Sequence, residues 1–333
     1  MMTFDWSKES IQAQWQAFEF SCAQTLSPIE ACYCRYYQLD FAERLPNVQH
    51  RFGYVEVDGY QLATHYYCPP AKPPRATVLI LHGYFDHSGL YKHLIDFCLQ
   101  REYAVLIYDL PGHGLSSGKT GEIGDFQEYV QVLAHFVGLH KQHVDVPCHV
   151  LGISTGCAII MEYLAAHKFN ESTTPFASTL LLAPLVRPVE WVKLRLMYAL
   201  LRPFVKSVAR SFISSSHDAN FVHFVEHSDP LQNRRVAVNW VGALIQWVKR
   251  FRAVRLELSP VIIQGGEDET IDWRFNLTTI QRVFKNPPIH FIPEAKHQLA
   301  NESSKIRGQV FGFLAPYLPS LQAQQSSAEV VRE

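Results

Sequence analysis

Six short, unbroken apolar runs, spaced by stretches with helical periodicity, constrain this fold more than any other feature. The runs are ATVLILHG (76–83), YAVLIYDL (103–110), CHVLGIS (148–154), STLLLAPL (178–185), SPVIIQGG (259–266) and PPIHFIPE (287–294). Helical patterns fall near 90–101, 124–141, 156–168, 274–285 and 303–317. Strands that are apolar without alternation are covered on both faces, and strands alternating with helices make a parallel sheet. FGYVEV-DG-YQLATHYY (52–67) reads as a hairpin turning at Asp58-Gly59, which adds an antiparallel edge. The chain is therefore expected to be an α/β protein with a mostly parallel sheet between helices.

The alternation lapses over 186–255, about 70 residues that read as helical and irregular between two core strands. In such sheets ligands bind at the carboxyl ends of the strands, so an insertion there would cover the binding end. The organisation expected is an N-terminal helical extension (1–50), a core (51–185 and 256–318), a helical cap (186–255) and a flexible tail (319–333). Ile11, Trp15, Phe18 and Cys22 predict an amphipathic helix over 5–22. No internal repeat is evident.

Composition narrows the class. With 47% apolar residues the chain is globular, and 30 basic against 31 acidic residues argue against chain-wide affinity for nucleic acid. Seven cysteines, an odd number without zinc-type spacing, are expected to be buried thiols in a reducing compartment. MMTFDWSKES lacks a signal-peptide pattern, and no window offers 18 uncharged apolar residues. A cytoplasmic location is expected, with peripheral contact at the inner face of the membrane.

The chemistry lies at three strand ends. In VLGISTGCA (150–158) glycines at 152 and 156 let a strand turn sharply into a helix, presenting Ser154 with an open helix N-terminus behind it. A serine hydroxyl needs a base. If the order is Ser…Asp…His, the acid ends a late strand and the base follows it. Asp268 lies just past the strand 259–266, ahead of Asp272, with Glu267 and Glu269 as neighbours that could compete. Of the two later histidines, His290 falls within a strand, whereas His297 falls in the loop EAKHQLANE. The expected set is thus Ser154 as nucleophile, His297 as base and Asp268 as the group that orients it.

Backbone donors for an oxyanion are expected from Thr155, directly after the serine, and from the loop HGYFDHSGLY (82–91), with Tyr84 preferred to Phe85. His82 and Gly83 read as loop-shaping residues, and DLPGHGLSSG (109–118) as a tight loop packed beside the site. His223 and His227 are spaced for zinc, but the segment HFVEH lacks the HExxH pattern. Neither a metal nor a cofactor is expected.

HGYFDHSGLY, DLPGHGLSSG, LGISTGC, GGEDETID and AKHQLANE occur in this order across 82–302. Together they resemble the monoglyceride-lipase and bacterial lysophospholipase branch of the serine α/β-hydrolases. The resemblance implies an α/β-hydrolase fold with an eight-stranded sheet and an inserted helical cap. It carries Ser154, Asp268 and His297 over as the catalytic triad, and Tyr84 and Thr155 as oxyanion donors. Cys157 stands where a glycine is usual in the branch and is expected to narrow the space behind the nucleophile. Phe85, Cys157, Trp191 and Met197 are the expected substrate contacts.

Residues 186–255 hold twelve Lys or Arg against four acids, interleaved with apolar side chains from Trp191 to Val205. Such a cap suits an apolar acyl channel and contact with an anionic lipid surface; the alternative is that its apolar face packs on the sheet while its charges are solvated. The expected activity is a serine hydrolase on carboxylic esters of lipid-like substrates, a lysophospholipid or a monoacylglycerol. The alternatives are a carboxylesterase, thioesterase or aminopeptidase-like hydrolase on small acyl substrates, and a non-catalytic hydrolase-fold binding protein.

Overall fold

The computed structural model describes residues 6–20, 25–70 and 73–320. The tail expected beyond 319 therefore lies almost wholly outside the described residues, as does Cys22 of the expected N-terminal helix.

Eight strands form one sheet: β1 (Gln49–Val57), β2 (Tyr60–Cys68), β3 (Thr77–Leu81), β4 (Ala104–Tyr108), β5 (Cys148–Ile153), β6 (Ser178–Leu182) and, beyond the insertion, β9 (Val261–Gly265) and β10 (Ile289–Ile292). Their order is β1-β2-β4-β3-β5-β6-β9-β10. From β4 to β10 all neighbours are parallel, and the β1–β2 hairpin closes one edge antiparallel to β4. Every residue of β3, β4 and β9 is buried, which is why these runs carry no polar alternation. Asp58 (φ 50°) and Gly59 (φ 80°) form the hairpin turn, both in the left-handed region that a two-residue connection between twisted strands demands.

The helices Phe126–His143 and Thr155–Ala166 pack together, joined by the helix Val238–Phe251 from the insertion. A second group brings Lys92–Leu99 against Ser304–Leu314, with the rings of Phe97 and Phe311 4.6 Å apart.

The amino terminus departs from expectation. Among the described residues of the helix expected over 5–22, only Lys8–Gln12 is helical, capped by Ser7, while Pro28–Tyr36 and Phe41–Arg44 form further helices of the amino-terminal extension. Beyond Lys8–Gln12 the chain runs extended along β1: Tyr54 N–H donates to the Gln16 carbonyl (3.0 Å) and Phe18 N–H to the Tyr54 carbonyl (2.9 Å). Trp15 stacks on Tyr54. A Cβ at Gly53 would come within 2.6 Å of the Gln16 carbonyl, so this close approach needs glycine. The exposed edge of the sheet won the backbone groups that a helix would have used.

The insertion is not wholly helical either. It contains the helices Trp191–Leu201 and Ala219–His223, a π turn (Phe224–Ser228), and a two-stranded ribbon of β7 (Ser207–Ala209) and β8 (Arg235–Ala237). Its last helix, Val238–Phe251, belongs to the core packing rather than to a separate lid. Trp247 Nε1 donates to the buried Glu162 carboxylate (2.9 Å), and Arg250 pairs with Asp125 (2.7 Å). By contrast, Trp191–Leu201 has no buried residue.

Candidate active site

β3, β5, β9 and β10 are parallel, so the segments that follow them emerge at one end of the sheet. Four of those segments meet there. After β5, Ser154 adopts φ 51°, ψ −110°, a conformation disfavoured for a residue with a side chain. Its neighbours enforce it: a Cβ at Gly152 would lie 2.6 Å from Cys157 N, and one at Gly156 would lie 2.1 Å from the Leu81 carbonyl. The two glycines let the helix Thr155–Ala166 start close against β3 and β5, and the serine is turned out at its tip.

After β9 comes Asp268. Its Oδ1 accepts from the N–H groups of Thr270 (2.9 Å) and Ile271 (3.1 Å), and its Oδ2 accepts from Gln264 Nε2 (3.2 Å). The same Oδ2 lies 2.7 Å from Nδ1 of His297, in the loop after β10. Burial pushes the His297 imidazole toward its neutral form, and Arg210 adds to that. The charge and hydrogen bond of Asp268, with Asp86 behind, outweigh both and raise its pKa. Two of the competing acids face elsewhere: Asp272 caps the helix Trp273–Val283 and pairs with Arg187, while Glu267 reaches His217.

A cavity of about 220 Å³ is lined by both Ser154 and His297. Ser154, Thr155, Tyr84, Phe85, Asp86, Arg210, His297 and Gln298 line it, with an apolar wall that includes Leu185, Leu194, Ile213, Val236, Trp240 and Val241. Gly83 is packed against Ser154, a Cβ there lying 3.5 Å from the serine Cβ, so the backbone entering Tyr84 passes beside the hydroxyl. Thr155 opens its helix, where backbone N–H groups lack intrahelical partners.

Of the four expected substrate contacts, Phe85 lines the cavity and three do not. Cys157 is fully buried behind Ser154, its thiol turned to the Leu182 carbonyl (3.3 Å). It follows the serine on the inner side of the helix, which sequence proximity alone conceals. Trp191 and Met197 stand on the outer helix of the insertion, and Leu194 is the residue of that helix that reaches the cavity.

Several side chains have structural roles that the sequence does not assign. The Tyr84 side chain holds the insertion: its ring stacks on Trp240 at 3.9 Å, its hydroxyl donates to the Gly121 carbonyl (2.8 Å) and accepts from Ala237 N–H (3.0 Å). Glu302, fully buried, accepts from the backbone of Lys296, Ser303 and His217 and lies 3.0 Å from His217 Nδ1, so it shapes the loop bearing His297. Asp86 accepts from Tyr91 and Gln298. His87, also buried, pairs with Asp229 of the insertion (3.0 Å), whose second oxygen accepts from Tyr37 (2.6 Å). His82 is loop-shaping as expected: Leu110 N–H donates to its Nε2 (2.8 Å), which leaves Nδ1 to donate to the Gly83 carbonyl (2.7 Å).

Residues 72–304 match the family described as serine aminopeptidase, S33. The monoglyceride lipase of Rattus norvegicus is 32% identical over 227 residues, 66% of this chain and 73% of that protein. Phospholipase YtpA of Bacillus subtilis is 25% identical over 206 residues, 61% of this chain and 79% of that protein. A soluble variant of monoglyceride lipase from Saccharomyces cerevisiae superposes with a TM-score of 0.69 at 16% identity, over 80% of this chain and 94% of that one, and shares the fold. With its eight-stranded sheet and the residues converging at one end of it, the chain belongs to the serine aminopeptidase S33 family of α/β-hydrolases, in the branch of the monoglyceride lipases.

Proposed function

We propose that this protein is a serine hydrolase that cleaves carboxylic esters of lipid-like substrates, a lysophospholipid or a monoacylglycerol, through an acyl-enzyme. The observation that carries the reading is the buried His297–Asp268 pair, 2.7 Å apart, with His297 lining the same cavity as a serine held at positive φ. Ser154 Oγ attacks the ester carbonyl as His297 Nε2 takes its proton. The N–H groups of Thr155 and Tyr84 receive the negative charge that develops on the carbonyl oxygen, each donor contributing about 3–4 kcal/mol. The imidazolium, stabilised by Asp268, then protonates the departing alcohol oxygen. Water, giving its proton to His297, attacks the acyl-serine, and the proton returns to Ser154 as the fatty acid leaves.

The apolar cavity wall supports a long acyl chain over an acetyl group, and the names of the monoglyceride lipase and phospholipase relatives point the same way. No described helix is long and apolar enough to cross a membrane. The outer helix of the insertion nevertheless exposes Val192, Leu196, Leu200 and, just beyond it, Phe204 beside Lys193, Arg195, Arg202 and Lys206. In this reading the part of 186–255 that precedes the core-packed helix Val238–Phe251 acts as a cap that docks on an anionic membrane, at the inner face and from the cytoplasm.

A fluorophosphonate probe tests the chemistry. The wild type is expected to be labelled and Ser154→Ala not; equal labelling of the two rules out Ser154 as the nucleophile. Rates on p-nitrophenyl esters of graded length should rise from acetyl toward long acyl chains.

A further inference from the structure

Arg210 follows β7 and lines the cavity that holds Ser154 and His297. Its guanidinium lies over the Phe85 ring at 3.8 Å and beside Phe212 at 4.5 Å, and its Nη1 is buried without a hydrogen-bond partner. Three acids act on it from a distance, and each is engaged elsewhere. Asp86 has its oxygens taken by Tyr91 (2.6 Å) and Gln298 (3.0 and 3.1 Å). Asp229 is taken by His87 and Tyr37, and Glu226 lies against His227. Burial lowers the Arg210 pKa to about 10, so the side chain keeps its charge at neutral pH.

A second cation, Arg234, stands nearby but outside the cavity lining, its Nη1 donating to the Glu226 carbonyl (2.8 Å). The Arg234 guanidinium is 5.5 Å from the Phe212 ring centroid, and Arg210 N–H donates to the Arg234 carbonyl (3.0 Å). A largely desolvated cation whose neighbouring acids are bonded to other groups is only partly neutralised, and a ligand anion would complete it. A planar fork of N–H donors matches phosphate oxygens better than it matches a hydroxyl. The remaining wall is apolar, through Leu185, Leu194, Ile213 and Val236. One ligand satisfies both surfaces: an acyl chain joined to a negatively charged group on the alcohol side of the ester.

We propose that Arg210 reads a phosphate on the alcohol half of the substrate, so that the site selects monoacyl glycerophospholipids over neutral monoacylglycerols. This rests on the ester-hydrolase reading and narrows its substrate class. The phosphate could be a bridging diester, as in a lysophosphatidylethanolamine, or a terminal monoester, as in lysophosphatidate.

Steady-state kinetics of the full chain on 1-oleoyl-lysophosphatidylethanolamine, 1-oleoyl-lysophosphatidate and 1-oleoylglycerol, each at fixed surface concentration in neutral detergent micelles, test this. The wild type should prefer at least one phosphate-bearing ester, and which one identifies the diester or the monoester. In Arg210→Gln the ratio of kcat/KM on that ester to kcat/KM on oleoylglycerol should fall at least tenfold, mainly through KM. Arg210→Lys, which keeps the charge and loses the fork, should fall between them and provides the comparison if the glutamine variant does not fold. A ratio that Arg210→Gln leaves unchanged, an equal loss on all three esters, or a wild type that prefers oleoylglycerol overturns the proposal. Absence of both probe labelling and hydrolysis of any ester by the wild type would instead overturn the hydrolase reading beneath it.

Discussion

At the residue scale the decisive group in the proposed mechanism is the His297 imidazole, because in that mechanism its protonation state sets whether Ser154 has a base. Asp268 holds the His297 pKa above the ordinary imidazole value of about 6.5. A base works only when deprotonated, so kcat/KM should rise with pH along a limb centred above that value. In Asp268→Asn the carboxylate charge is lost, and the limb should move to lower pH while the plateau drops about 10⁴-fold. A pH profile of both proteins on one soluble ester checks this; a limb that stays in place in the variant would show that Asp268 does not set it. Ser154, Asp268 and His297 were legible in the sequence because each follows a strand whose apolar run announces it. Arg210 was not, for its significance lies in what fails to pair with it, and pairing depends on a fold of the insertion that has no periodic signature. Cys157 shows the converse: adjacency in sequence put it near Ser154, but helical rotation turned it inward.

At the scale of elements, the loop after β10 is held by one buried carboxylate at its far end. Glu302 gathers N–H groups from Lys296, Ser303 and His217, and so locks the His297 loop to the middle of the insertion. Gln298 N–H donating to the Ser215 carbonyl, and Ser216 Oγ to the Asn301 carbonyl, make the same junction. Glu302→Gln keeps the volume but turns an NH₂ toward groups that themselves donate. It should cost about 1–3 kcal/mol in urea unfolding and lower kcat by displacing His297; unchanged stability would mean that the junction is held elsewhere. The core strands and helices were readable because their periodicity is enforced by burial on the sheet. The amino-terminal segment was misread because Trp15 and Phe18 fit a helical period equally well as residues of an extended strand. Only the neighbouring edge, with Gly53 leaving room, decides between the two.

For the whole molecule, the distribution of charge is more telling than its sum. The chain is nearly neutral, yet 186–255 carries a net +8, and the remainder is correspondingly acidic. The structure divides that insertion in two. Its last helix is sunk in the core, whereas its outer helix turns Trp191, Leu194 and Tyr198 inward and leaves Val192 79% and, just beyond the helix, Phe204 82% exposed. Apolar side chains so exposed, ringed by cations, are unfavourable in water and favourable at an anionic interface, where each well-placed charge contributes about 1 kcal/mol. Vesicle flotation should therefore show binding to phosphatidylglycerol-rich membranes that weakens as salt rises, and little binding to phosphatidylcholine alone. Replacing Leu200 and Phe204 with Ser should abolish the salt-resistant part of binding, because it removes insertion and leaves only the screened attraction. The same double variant should keep its rate on a water-soluble short-chain ester, since neither side chain lines the cavity. Equal flotation with both lipids, or a double variant that floats as the wild type does, would show that the outer helix is not the docking face.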